Sequence, residues 1–290
     1  MARATRPLAA SRRRKPVWRE VEERESRRLS NRARAASRRR RRIAVVYDIE
    51  GPRVRLGIGW FVLLLVSLSA GLAVVTAVYA AAAALAATQV ARTWWRRGGG
   101  NRPNVSVATI GAPALVVAAA ISTAMLGIAI LGLVITSIVT ASSDRRTAPI
   151  VGAARTLQCA VWAGGAAASV VCTYRFEIGA AVALVLVVSA YETGDYLIGT
   201  GGRSALEGPI AGAAAVLVVQ FGIAAIGVPP FELPGGLGFA VLAAVLCPLG
   251  QLVASLVLPS AKAPAPALRR LDSLLLLGPV WALLTGIAAS

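Results

Sequence analysis

With 290 residues, 57% hydrophobic, the chain is far too apolar for an ordinary soluble domain, and with no histidine it offers no histidine base, Ser-His-Asp triad or histidine metal ligand. Mean hydropathy is +0.68. The net charge of +18 is lopsided: residues 1–55 hold 19 of the 31 basic and 6 of the 13 acidic residues, so 13 of the surplus positive charges lie in the first fifth.

That first segment is expected to be a tail and not a signal peptide, because the nearest apolar run begins only at Leu56. Its clusters Arg12–Lys15 and Arg38–Arg42, with many Ser and Ala and few aromatics, predict a disordered cytosolic arm. Such an arm orients the protein and adsorbs to anionic membrane lipids, at about 1 kcal/mol per basic residue near the surface. Nucleic-acid binding is the weaker reading of the same residues.

Beyond it lie long runs without a charge: 56–91, 103–143, 156–174, 178–191, 208–231, 233–261 and 273–290. Apolar runs of about 18 residues or more read as membrane spans. The 36 residues of 56–91 would make one helix of about 54 Å against a hydrocarbon core of roughly 30 Å. They must fold back, and Ser67–Gly71 is the expected turn. The run 103–143 needs the same break, expected near Ala120–Thr123. The run 178–191 is short and is expected to continue to Gly199, taking in Glu192 and Asp195. The expected architecture is all-α: a polytopic integral membrane protein with nine transmembrane helices in 56–290, behind the tail of 1–55.

Positive charge sets the orientation. With the tail in the cytoplasm, the inner loops hold Arg92, Arg96, Arg97, Arg102, Arg145, Arg146, Arg155, Arg203, Lys262, Arg269 and Arg270, and the outer turns hold only Arg175. The N-terminus is therefore expected inside and the C-terminus outside. The same topology gathers Glu192, Asp195, Glu207 and Asp272 at the cytoplasmic ends of spans, whereas Glu177 and Glu232 fall on the outer surface. Ionisable groups at membrane depth are costly and usually face a polar cavity.

Cys159, Cys172 and Cys247 stand singly in apolar runs, which argues against zinc or disulfides, and no G-x-x-x-x-G-K-[ST] loop occurs. The remaining inventory is carboxylates, arginines and glycines. In Y-E-T-G-D-Y-L-I-G, Glu192, Asp195, Tyr196 and Gly199 share one helix face. Two neighbouring carboxylates repel unless a cation lies between them, and Mg²⁺ takes one or two carboxylates plus substrate phosphates. Neutralisation by Arg203 or Arg155 is the structural alternative. Gly199–Arg203 could bring backbone amides to an anion.

These segments, followed by S-A-L-E-G-P-I-A-G, P-L-G-Q-L-V-A-S and R-R-L-D-S, resemble in order and spacing the C-terminal half of phosphatidate cytidylyltransferases (CDP-diacylglycerol synthases), over roughly residues 155–282 with the motifs in 190–275. That family has D-T-G-A-Y-x-x-G, K-T-W-E-G-x-x-G-G, G-D-L-x-E-S and D-R-x-D-S segments. The resemblance implies a nine-span enzyme of bacterial cytoplasmic (inner) membranes, with CTP and phosphatidic acid as partners. It would transfer CMP with Mg²⁺ and release pyrophosphate. It implies catalytic Asp272 and Glu207, metal ligation by Asp272, Glu192 and the position of Gln251, and substrate contacts from Arg270, Ser273, Tyr196 and Gly208; Asp195, where the family usually has a small residue, is expected to add a metal ligand, and Arg203 a further phosphate contact. A homodimer is compatible with it. The departures are chemical: Arg269 stands where the signature has its first Asp, Gln251 and Ala254 where the third segment has Asp and Glu, and Glu192 for an Asp. Loss of carboxylates and gain of a cation should weaken divalent binding, which raises a second expectation: a catalytically degenerate scaffold or lipid-binding protein. A small transporter is the third.

Overall fold

The computed structural model describes residues 53–97, 102–143, 148–202, 204–232 and 235–289. The disordered tail and Arg203 belong to expectations that lie outside the described residues. Among those described there are helices and no strand: α1 Arg53–Ala70, α2 Leu72–Arg97, α3 Val105–Ile121, α4 Thr123–Ser143, α5 Pro149–Phe176, α6 Ile178–Gly199, α7 Glu207–Ile226, α8 Gly235–Val257, the single turn α9 Pro266–Arg269, and α10 Leu274–Ala288. The first helix begins at Arg53, so the last arginines assigned to the tail belong to α1.

Six of these, α2 and α4 to α8, are long and apolar enough to cross a membrane, while Leu56–Ala70, α3 and α10 are apolar but shorter. The protein is a multi-pass helical membrane protein. Both predicted breaks occur. The first is at Gly71, whose φ of +103° is a conformation that glycine adopts at little cost. The second is at Ser122, whose extended backbone stops α3 while its hydroxyl accepts from the Met125 amide and starts α4. Helix α6 runs to Gly199 as expected.

Helix α5 is the centre, packing against α2, α3, α4, α6 and α10. Its sequence explains why: small residues let neighbours approach closely, and association in lipid depends on such packing. A Cβ on Gly164 would lie 2.7 Å from the Ala112 carbonyl oxygen of α3, so only glycine fits that crossing. Helix α4 turns Ile128, Leu131, Ile135 and Val139 outward, the surface expected toward lipid.

Two ends of the bundle can be told apart by their contacts. At one, Trp94 donates its indole N–H to the Val257 carbonyl at 2.8 Å, Arg97 donates to the Pro259 carbonyl, and the Arg155 guanidinium stacks 3.6 Å from the Trp94 ring centroid. At the other, Tyr174 donates to the Leu68 carbonyl at 3.1 Å and Arg175 to that of Ala119 at 3.2 Å. The three cysteines are buried and free.

Candidate functional site

The arginine-rich end is where the acidic residues gather, and α8 organises them. Gly250, Gln251 and Ser255 lie on its last turns, all buried. A side chain at Gly250 would run into the Asp272 carbonyl oxygen, so glycine there lets α8 approach the turn that precedes α10. One residue on, the Gln251 amide donates to Asp195 Oδ2 at 3.0 Å, while its carbonyl oxygen accepts from the Tyr191 hydroxyl at 3.2 Å. Tyr191 and Asp195 are four apart on α6, hence on one face, and both are buried.

Asp272 is 6% exposed and Ser273 wholly buried. The Arg269 guanidinium stands 3.7 Å from Asp272 Oδ2, across one turn of chain. It is held there by Ser255 Oγ, at 3.3 and 3.4 Å from its two terminal nitrogens, and by the Ala261 carbonyl at 2.9 Å. Burial pushes the Asp272 carboxyl up to about 6, against the downward pull of Arg269. Glu192, half-buried, meets the Ser273 side chain and lies within electrostatic reach of Asp272, Arg270 and Asp195. Arg270 also reaches α1, with one nitrogen 3.4 Å from where a Cβ on Gly57 would stand.

The structure thus brings together Glu192, Asp195, Gln251, Arg270, Asp272 and Ser273. Tyr196 lies half-buried one turn beyond Glu192. Glu207 is engaged elsewhere: it opens α7, and its Oε1 accepts from the Ser204 amide at 2.9 Å, a role suited to an acid at a helix N-terminus. Gly208 is buried behind it. Two residues that the sequence reading did not assign to the site complete it. Tyr191 could have been found by its i−4 spacing from Asp195. Tyr79 of α2 is fully buried within electrostatic reach of Glu192, its hydroxyl without a hydrogen-bond partner among the described residues, and nothing in its sequence context marks it.

The donors do not fit a magnesium ion well. Mg²⁺ demands near-octahedral oxygen ligands, and among the described residues no three Asp, Glu, Cys or His side chains form a group able to hold a metal. Gln251 turns its NH₂ toward Asp195 and commits its oxygen to Tyr191, and Asp272 faces a guanidinium. Comparison with family models and with curated protein sequences returns no match.

Proposed function

We propose that this chain is a divergent phosphatidate cytidylyltransferase-like membrane protein in which CMP transfer has been lost, leaving a lipid-binding or scaffolding role. The observation that carries this reading is the pairing of carboxylates with the chain's own side chains, Asp272 with Arg269 and Asp195 with Gln251. The lineage is supported by the convergence of residues up to 80 positions apart, Glu192, Asp195, Arg270, Asp272 and Ser273, from two of the segments that carry the resemblance. Anionic lipids, drawn by the basic tail and by the arginines at this end of the bundle, are the proposed partners.

A second reading keeps the enzyme: CMP transfer from CTP to phosphatidic acid, with Arg270 and Arg203 neutralising phosphate charge. The lipid phosphate would attack the α-phosphorus and pyrophosphate would leave. The closeness of Glu192, Asp195, Asp272 and Arg270 favours it. A transporter is disfavoured because the acids lie at a bundle end, not at midplane.

The proposed setting is a bacterial cytoplasmic membrane, crossed nine times, with the N-terminus inside and the C-terminus outside. The asymmetry of loop arginines supports it, as does the packing of Trp94, Arg97, Arg155 and Pro259 at one end. Full-length protein in detergent, given CTP, labelled phosphatidic acid and excess Mg²⁺, should form no CDP-diacylglycerol. Product formation that Asp272→Asn abolishes would overturn the non-catalytic reading.

A further inference from the structure

We propose that Arg269 is the resident cation of this cluster, supplying the positive charge that a divalent ion would otherwise bring, so that the cluster takes no divalent metal. Three carboxylates lie within electrostatic reach of one another here, since Glu192 feels both Asp272 and Asp195, and Asp272 feels Asp195. Like charges crowded away from water need a counter-charge nearby. Arg269 is built into place to give it. The Ser255 hydroxyl spends its only proton on the Gln251 backbone carbonyl at 3.2 Å, which leaves its lone pairs to the arginine. The Ala261 carbonyl accepts from the same guanidinium at 2.9 Å. The arginine is thereby fixed from α8 and from the loop that follows it, with Asp272 on its own turn.

Charge arithmetic points the same way. Among the described residues Arg270 also stands within electrostatic reach of Glu192, so two guanidinium groups serve these carboxylates and lessen the call for a doubly charged ion. Gln251 adds to this by offering Asp195 a hydrogen-bond donor where a metal site would need another oxygen. The inference deepens the non-catalytic reading and rests on it only in taking a divalent ion as the alternative occupant.

The test is Mn²⁺ binding by the full-length protein in detergent after chelator treatment, read as loss of the free Mn²⁺ electron paramagnetic resonance signal. The parent chain should bind no stoichiometric Mn²⁺. The double variant Arg269→Asp with Gln251→Asp, which turns a cation and an amide into carboxylates, should gain one ion per chain and raise affinity about tenfold or more. A folded double variant as blind to Mn²⁺ as the parent would overturn the proposal. If that variant does not fold, the parent decides: one Mn²⁺ per chain, lost in Asp272→Asn, overturns it, and no binding upholds it. Mn²⁺ binding without CTP turnover would sink the role of Arg269 and spare the non-catalytic reading. CTP turnover by metal-free protein would do the reverse.

Discussion

Gln251 of α8 donates its side-chain amide to Asp195 of α6 across 3.0 Å, at a place where both residues are buried. A glutamine can do this because it presents a donor and an acceptor on one planar group, and its oxygen accepts from Tyr191 in the same arrangement. The α6–α8 contact is therefore joined by a polar relay from phenol to amide to carboxylate. A carboxylate in place of Gln251 would face Asp195 with like charge and hold the two helices together only around a cation or a shared proton.

Gln251→Leu keeps the volume of the side chain and removes both hydrogen bonds. Because one of them is made to a charged group, we predict a loss of about 2–3 kcal/mol, measured as a lower midpoint of thermal or denaturant unfolding in detergent. A variant as stable as the parent would show that the relay does not hold α6 to α8.

The pH dependence of stability should carry the mark of Asp272. Its ordinary value is 3.8, and burial, partly offset by Arg269, raises it to about 6. The folded protein then binds this proton more tightly than the unfolded chain. The favourable contribution is full below about pH 4 and is lost as pH rises through 6, a change on the order of 1–3 kcal/mol. Asp272→Asn cannot titrate, so unfolding midpoints of the variant should fall less between pH 4 and 6 than those of the parent. Parallel curves would assign the decline to other groups.

How much of this could be read from residues alone follows from the physics of each signal. The breaks at Gly71 and Ser122 were legible because a 36-residue and a 41-residue apolar run cannot cross a bilayer core once. The extension of α6 to Gly199 was legible for the opposite reason, since 178–191 is too short. Grouping the acids at one end needed only the alternation of helix direction and the arginine bias. The use of each carboxylate was not legible. Glu207 turns to its own loop as it opens α7, and no spacing rule says whether such an acid faces the bundle or the loop before its helix. Arg269 and Asp272 pair because a turn of chain folds α9 back toward Ser255, a tertiary fact. Tyr79 comes within electrostatic reach of Glu192 from another helix, more than a hundred residues away in sequence.

Topology can be tested at the chain end. Helix α10 has 15 residues, about 22 Å long, less than the roughly 30 Å of a bilayer core. On the proposed nine-span topology, its crossing would depend on local thinning of the bilayer or on the flanking residues. We predict that a reporter active only outside the cytoplasm works when fused at Ser290 and fails when fused at Arg97. Cytoplasmic reporting at Ser290 would overturn the nine-span topology.

Glycines give the last prediction, because identical substitutions should have opposite signs at different places. An added Cβ at Gly194 of α6 would lie 2.8 Å from the Ala211 carbonyl oxygen of α7, and at Gly250 it would collide with the Asp272 carbonyl oxygen. Backbone oxygens cannot swing aside, so the helices must part, and overpacking of this kind costs about 1–3 kcal/mol. At Gly132, on the outward face of α4, nothing stands within 4 Å of the new carbon. There alanine should be neutral or stabilising by up to about 1 kcal/mol through the lower backbone entropy of the unfolded chain. Gly194→Ala and Gly250→Ala should therefore lower the unfolding midpoint in detergent while Gly132→Ala does not. Gly250→Ala should do one thing more. By pushing α8 away from the Asp272 turn it separates Ser255 from Arg269, so it should also alter the Asp272-dependent pH profile, whereas Gly194→Ala, acting between α6 and α7, should leave that profile in place.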